Sequence, residues 1–293
     1  VIMGLTAYSN TPLMPGKTLV FLDEIQECPR ARTAIKFLVD DGRFDYIESG
    51  SLLGVTYQHV DSLPVGYEEE LRVYPLTFLE FAKAAGVQEE VLVAARRACE
   101  DGEPVPDALH ERLLRAFRIY TAVGGMPAAV QAFVDTSDLA RVLKVQEGIL
   151  ALYRQDVMKY APNKAHVNAI FGAIPAELDS RNKRFKLTDL AKTARMERYA
   201  SDFMWIADVG VALPCYNVRA PVVPLQVNMQ HNLFKLFLCD TGLLSAMSVG
   251  AVQFDLIQGN LAINQGAFLE NVIAQQLVAN GFKLYYYDKS KLG

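Results

Sequence analysis

The chain has 293 residues, of which 51% are hydrophobic and 21% charged, with a formal net charge of -4. That length has room for a sizeable core and about two domains. The acidic balance excludes a global basic field, so a nucleic-acid contact would need a local patch, and no apolar run approaches the ~18 residues of a membrane span.

The four cysteines, Cys28, Cys99, Cys215 and Cys239, are far apart and form no C-x-x-C pair. Neither a zinc site nor a disulfide framework is expected, and a reducing cytoplasm fits best. The histidines, His59, His110, His166 and His231, form no i,i+4 pair. The opening "VIMGLTAYSN" lacks both an initiator Met and the order of a signal peptide, and the chain stops at "YYYDKSKLG" just after a strand-like run. Both ends therefore read as cut.

In chain order, the first signal is "PGKTLVFLDEIQ", Pro15 to Gln26. Gly16-Lys17-Thr18 imitates the tail of a phosphate-binding loop, but the pattern G-x-x-x-x-G-K-[ST] needs glycine where Thr11 stands and a helix where an apolar run follows. The triplet is expected to be a loop leading into a strand. Leu19 to Leu22 is a continuous apolar run, expected to be a strand buried on both faces of a parallel sheet. Asp23 and Glu24 end it. There the first carboxylate can hold Mg²⁺ directly or through water, and the second can orient or deprotonate an attacking water. A plain solvated strand end is the alternative.

A helix is expected from Arg30 to Asp40, stopped by Asp41-Gly42, then a strand over Phe44 to Ile47 leading to Ser49-Gly50-Ser51. Strand, helix, strand is one crossover unit of an α/β sheet. Ser49 and Ser51 lie past the strand's carboxyl end, where open α/β sheets gather ligand-binding groups, although turn chemistry explains serines there as well. Tyr67 to Tyr74 alternates and could supply another strand. From Thr77 to Tyr160 the periodicity is helical, with stops at Gly86 and at Gly124-Gly125. Between Ala165 and Pro221 a helical pair is followed by strand-like "ALPCYNV", the order of a winged helix-turn-helix. Lys192, Arg195 and Arg198 cluster at its presumed turn, where recognition residues would meet DNA, with Lys183, Arg184 and Lys186 before them. The last stretch carries strand-like "LFKLFLCD", a helix "GAFLENVIAQQLVANG" and strand-like "KLYYY".

Taken in order, "LVFLDEIQECPRARTAIKFLVDDGRFDYIESGSLLG", "LPVGYEEELRVYPLTFLEF", "YTAVGGMPAAVQAFV", "LYRQDVMKYA", "LFKLFLCDTGLL" and "NQGAFLENVIAQQLVANGFKLYYY" resemble the prokaryotic ATP-binding proteins that join an AAA-type ATPase domain to an uncharacterised C-terminal domain. The resemblance implies an α/β fold: a partial P-loop NTPase parallel sheet over 1–82, a helical lid over 83–163, a winged helix-turn-helix over 164–225 and the start of an α/β nuclease-like domain over 226–293. It implies ATP and Mg²⁺ as cofactors, Asp23 as metal-site and catalytic residue, Glu24 as catalytic carboxylate, Ser51 or Ser49 as first sensor, and a P-loop upstream of Val1. Without that loop the 293 residues are expected to bind ATP feebly and hydrolyse none. Arg72, Arg115 and Arg118 are available as transition-state arginines, and none is assigned. In relatives the C-terminal part resembles a PD-(D/E)XK nuclease fold, and Glu270 sits on the corresponding helix without its later partners. The Gly124-Gly125-Met126-Pro127 turn matches the same family and is expected to be structural. The alternative function is a non-catalytic DNA- or protein-binding module with a degenerate nucleotide site. The partners expected are ATP, DNA through the winged helix, and a protein or further copies of the chain, with no membrane.

Overall fold

In a computed structural model the described residues are 2–50, 66–180, 183–190, 192, 195–248 and 265–288. The chain divides into two compact units, Val1–Val73 and Tyr74–Gly293.

The first unit contains α1 (Ile2–Ser9), β1 (Leu19–Leu22), a 3-10 turn (Ile25–Glu27), α2 (Pro29–Asp41) and β2 (Asp45–Glu48). Pro29 opens α2 with its fixed φ, and Gly42 closes it in the left-handed region (φ 63°), its N–H donating to Val39 O at 3.0 Å. The crossover through α2 sets β1 and β2 parallel, Leu19 opposite Asp45 and Leu22 opposite Glu48. The expectation of a strand buried on both faces is corrected here. Val20 is buried, but Leu19 and Phe21 are 56% and 57% exposed, as is Ile47 on β2 at 47%. Side chains alternate across a strand, so one face of this small sheet is packed and the other is bare. The residues from Gly66 to Val73 form no strand, contrary to the alternation seen there.

The second unit is mainly helical: α3 (Phe78–Ala84), α4 (Glu89–Asp101), α5 (Asp107–Val123), α6 (Pro127–Thr136), α7 (Leu139–Tyr160), α8 (Lys164–Asp179), α9 (Leu187–Leu190) and α10 (Met196–Asp208). Then come β3 (Ala212–Val218), β4 (Met229–Leu238), α11 (Thr241–Met247), α12 (Gln265–Ala279) and β5 (Tyr285–Tyr286). Phe81, Tyr120, Val123, Ala129, Val130, Val142 and Val272 form one core cluster drawn from α3, α5, α6, α7 and α12. The sheet runs β4-β3-β5, with β3 antiparallel to β4 and parallel to β5.

A buried polar network pins these helices together. Asp240 caps α11, its Oδ1 accepting from Leu243 N at 3.0 Å, while its Oδ2 accepts from Gly125 N at 2.6 Å and Gln275 Nε2 at 3.3 Å. Tyr120 Oη accepts from Gln275 and Gln276 and donates to Leu76 O at 2.8 Å. Asn271 bonds both the N–H and the carbonyl of Leu238. The Gly-Gly turn is therefore structural: a Cβ on Gly124 would meet the Asp240 carboxylate, and one on Gly125 would meet the Leu76 backbone. Burial raises the Asp240 carboxyl to about 6, against the opposing pull of the N–H donors of Gly125, Leu243 and Gln275.

Candidate functional site

The carboxyl ends of β1 and β2 are locked together by backbone. Ser49 N donates to Leu22 O at 2.9 Å, and Ile25 N donates to Ser49 O at 3.0 Å. This brings Ser49 against Asp23: the Ser49 hydroxyl donates to Asp23 Oδ1, which also accepts from Glu24 N at 3.1 Å. Glu24 has a left-handed backbone (φ 51°, ψ 47°), an uncommon conformation for a residue other than glycine and one that costs about 1 kcal/mol or more. The 3-10 turn holds it there through Glu27 N to Glu24 O at 2.9 Å, and Gln26 Nε2 donates to its carboxylate. Asp23 and Glu24 are both exposed at the strand end. The structure thus brings together Asp23, Glu24 and Ser49, while Ser51 lies outside the described residues.

Gly16-Lys17-Thr18 offers no phosphate cradle. Gly16 N donates to Arg43 O at 2.8 Å, and Lys17 N and Thr18 N both donate to Met14 O at 3.1 Å. All three N–H groups are therefore spent on backbone carbonyls, the last two within a turn closed by Met14 N donating to Thr18 Oγ1 at 2.9 Å.

Beneath the strand ends lies an ion triad with no local sequence signal. Arg32, 5% exposed, bonds Glu48 and reaches Glu68 Oε1 at 2.6 Å. Burial raises the Glu48 carboxyl, and the Arg32 guanidinium pulls the other way. The triad ties α2 to the end of β2 and to the segment after Gly66. Gln26 is likewise a site residue that spacing could not single out.

The oxygen donors fit a hard divalent cation in kind. One aspartate and one hydroxyl are the short protein contribution typical of Mg²⁺ held mainly by water and substrate phosphates. Among the described residues no group of three or more His, Cys, Asp or Glu side chains could hold a metal ion alone.

In the second unit, α8, an extended run whose Phe185 N donates to Phe234 O at 3.0 Å, α9, α10 and the β3–β4 hairpin follow one another around Phe185, Phe203 and Phe234. Lys192, Arg195 and Arg198 are all exposed, and among the described residues they form no ion pair. Lys183 and Arg184, the basic residues before them, are drawn inward instead. Lys183 and Lys235 both donate to Glu270 at 2.8 Å, and Arg184 pairs with Asp288. Burial would raise the Glu270 carboxyl, but the two lysines outweigh it and hold the group below its usual range. Arg72 pairs with Glu70 at 3.2 Å, and Arg115 and Arg118 are exposed on α5.

Residues 4–82 match the AAA domain family, and residues 114–253 match a domain of unknown function, DUF8612. No curated protein and no solved structure matches the chain. No helix among the described residues is long and apolar enough to cross a membrane.

Proposed function

We propose that the first unit, nearly all of which falls within the stretch 4–82 that is similar to AAA domains, is the metal-and-water arm of an ATP site. The observation that carries this reading is the Ser49–Asp23 hydrogen bond across the carboxyl ends of two parallel strands, where α/β sheets bind ligands. Asp23 would hold the Mg²⁺ that accompanies the nucleotide, Glu24 would orient the attacking water, and Ser49, with Ser51 as the other candidate, would sense the terminal phosphate. The 293 residues contain no G-x-x-x-x-G-K-[ST] pattern, and the one Gly-Lys-Thr has no free amides. Hydrolysis therefore needs a phosphate-holding loop in addition to these residues, and the chain by itself is expected to bind Mg²⁺-ATP weakly without turnover. In this reading 1–82 is the ATPase core and 83–163 its helical lid.

Calorimetric titration of Mg²⁺-ATP tests it. Weak Mg²⁺-dependent heat that disappears in Asp23→Asn is the expected result. No binding at any concentration would sink the nucleotide reading, and turnover abolished by Asp23→Asn would refute the claim of inactivity.

We further propose that 164–225 is a winged helix that contacts duplex DNA through Lys192, Arg195 and Arg198. The favouring observation is that these three cations stay exposed while Lys183 and Arg184 are engaged inward. Reversing Arg195 and Arg198 to Glu should abolish a salt-dependent mobility shift. The alternative, a DNA- or protein-binding module with a degenerate nucleotide site, would keep that shift and give no Mg²⁺-ATP heat. For 226–293 we propose the start of a nuclease-like fold whose Glu270 is a structural anchor for two lysines.

A further inference from the structure

An arginine in the first turn of a helix faces the positive end of the dipole, and burying it adds the cost of desolvating a charge. Arg32 does both, in the first turn of α2 and 5% exposed. Its two carboxylate partners offset those costs, and they come from different parts of the chain. Glu48 is the last residue of β2, directly before the Ser49 that bonds Asp23. Glu68 belongs to the stretch 66–73, the connector after which the second unit begins at Tyr74.

One guanidinium serves both acids. Glu68 is held by a fork, Nη2 donating to its Oε1 at 2.6 Å while Nη1 meets its Oε2, and the same Nη1 donates to Glu48 Oε2. With one positive charge between two negative ones, a firmer hold on either acid loosens the other. Burial raises the Glu48 carboxyl, the Arg32 guanidinium opposes that, and the Glu68 charge raises it further. One turn along α2, the Lys36 ammonium lies 5.3 Å from the centre of the Tyr67 ring, so Tyr67 and Glu68 seat the connector on α2 by adjoining contacts. Past them, Glu69, Glu70, Leu71, Arg72 and Val73 are all exposed.

We propose that Arg32 is a positioning residue shared between the nucleotide site and the connector, and that Glu68 of the connector restrains the site by drawing the guanidinium away from Glu48. With Glu68 released, Arg32 holds Glu48 alone, which fixes the end of β2 and keeps the neighbouring Ser49 on Asp23. Coupling of this kind is reciprocal, so Mg²⁺-ATP bound at Asp23 and Ser49 in turn loosens the connector. This rests on the nucleotide reading above and assigns that site a regulation.

The test uses the full 293-residue chain, with Mg²⁺-ATP as the probe and urea denaturation to confirm that each variant is folded. Glu68→Gln should tighten calorimetric binding about fivefold or more, and Glu48→Gln should weaken it by a similar factor. In Glu48→Gln/Glu68→Gln the gain from Glu68→Gln should vanish, since its route through Glu48 is cut. A contact that only stabilises the fold would instead weaken binding when either acid is lost. Trypsin cleavage after Arg72 is the second readout: nucleotide should speed it in wild type and leave it unchanged in Glu48→Gln. If Glu68→Gln binds no tighter than wild type, or keeps its full gain in the double variant, the shared role of Arg32 is overturned and the nucleotide reading stands. A wild type that gives no heat at any concentration overturns both.

Discussion

Asp240 shows how far one residue's energetics depend on burial. Its carboxyl rises from the ordinary 3.8 to about 6 because burial disfavours the charge more than the N–H donors of Gly125, Leu243 and Gln275 favour it. The folded state therefore prefers the protonated form. The contribution is fully present below the unfolded value and is lost as pH rises through about 6. The difference between the ordinary and the folded value corresponds to about 3 kcal/mol. Asp240→Asn cannot ionise, so wild type should lose stability relative to this variant between about pH 4 and pH 6 in urea denaturation. A constant difference across that range would reject the assignment. Glycines give a second test. A Cβ on Gly242 would overlap the Val123 carbonyl and sit 2.6 Å from Gln146 Nε2. Gly242→Ala should cost about 3 kcal/mol or more. Gly148, exposed on α7 with nothing within 4 Å of a new Cβ, should gain up to ~1 kcal/mol as alanine. The Gly-Gly-Met-Pro stop was legible because glycine and proline act on their own backbone. Asp240 was not, because its partners Gly125 and Gln275 lie 115 and 35 residues away.

At the scale of elements, local chemistry was readable and burial was not. The run Leu19–Leu22 announced a strand, and Asp41-Gly42 announced the end of α2, since each depends on nearest neighbours. Whether both faces of that strand are covered depends on what else packs there, and Leu19 and Phe21 are bare. The same limit holds for Lys183 and Arg184: nothing local shows that Glu270 and Asp288, far along the chain, pair with them. That the ends of β1 and β2 would meet was legible, because a parallel crossover necessarily brings the carboxyl ends of its two strands together, but the choice of Ser49 as the serine bonded to Asp23 was not. Caps are local too. Thr77 accepts from Glu80 N, and Glu80 bonds back to Thr77 N at 2.7 Å, closing a capping box at the start of α3. Thr77→Ala should cost about 1 kcal/mol by chemical denaturation, with Thr77→Ser nearly neutral. Equal losses in both variants would mean that the hydroxyl is not what matters.

Over the whole chain the two units differ in how well they are built to hold together. The second has a continuous core and a buried network in which Tyr120, Gln146, Asp240, Asn271 and Gln275 are each hydrogen-bonded. Among the described residues the first has a two-stranded sheet packed on one face, and two-stranded sheets are marginal in water. Local opening should therefore come first in the unit that carries Asp23 and Glu24. In native-state hydrogen exchange of the intact chain, amides of β1 and β2 should be less protected than those of α5 and α12 by about a hundredfold or more, or ~3 kcal/mol. Ligand binding to the folded form raises protection by mass action. Mg²⁺-ATP should accordingly slow exchange at Ile25 and Ser49, whose N–H groups lock the strand ends, and leave α12 unchanged. Equal protection in the two units without nucleotide would contradict the stability argument. An unchanged rate at Ile25 and Ser49 with saturating nucleotide would contradict the placement of the ATP site at the strand ends.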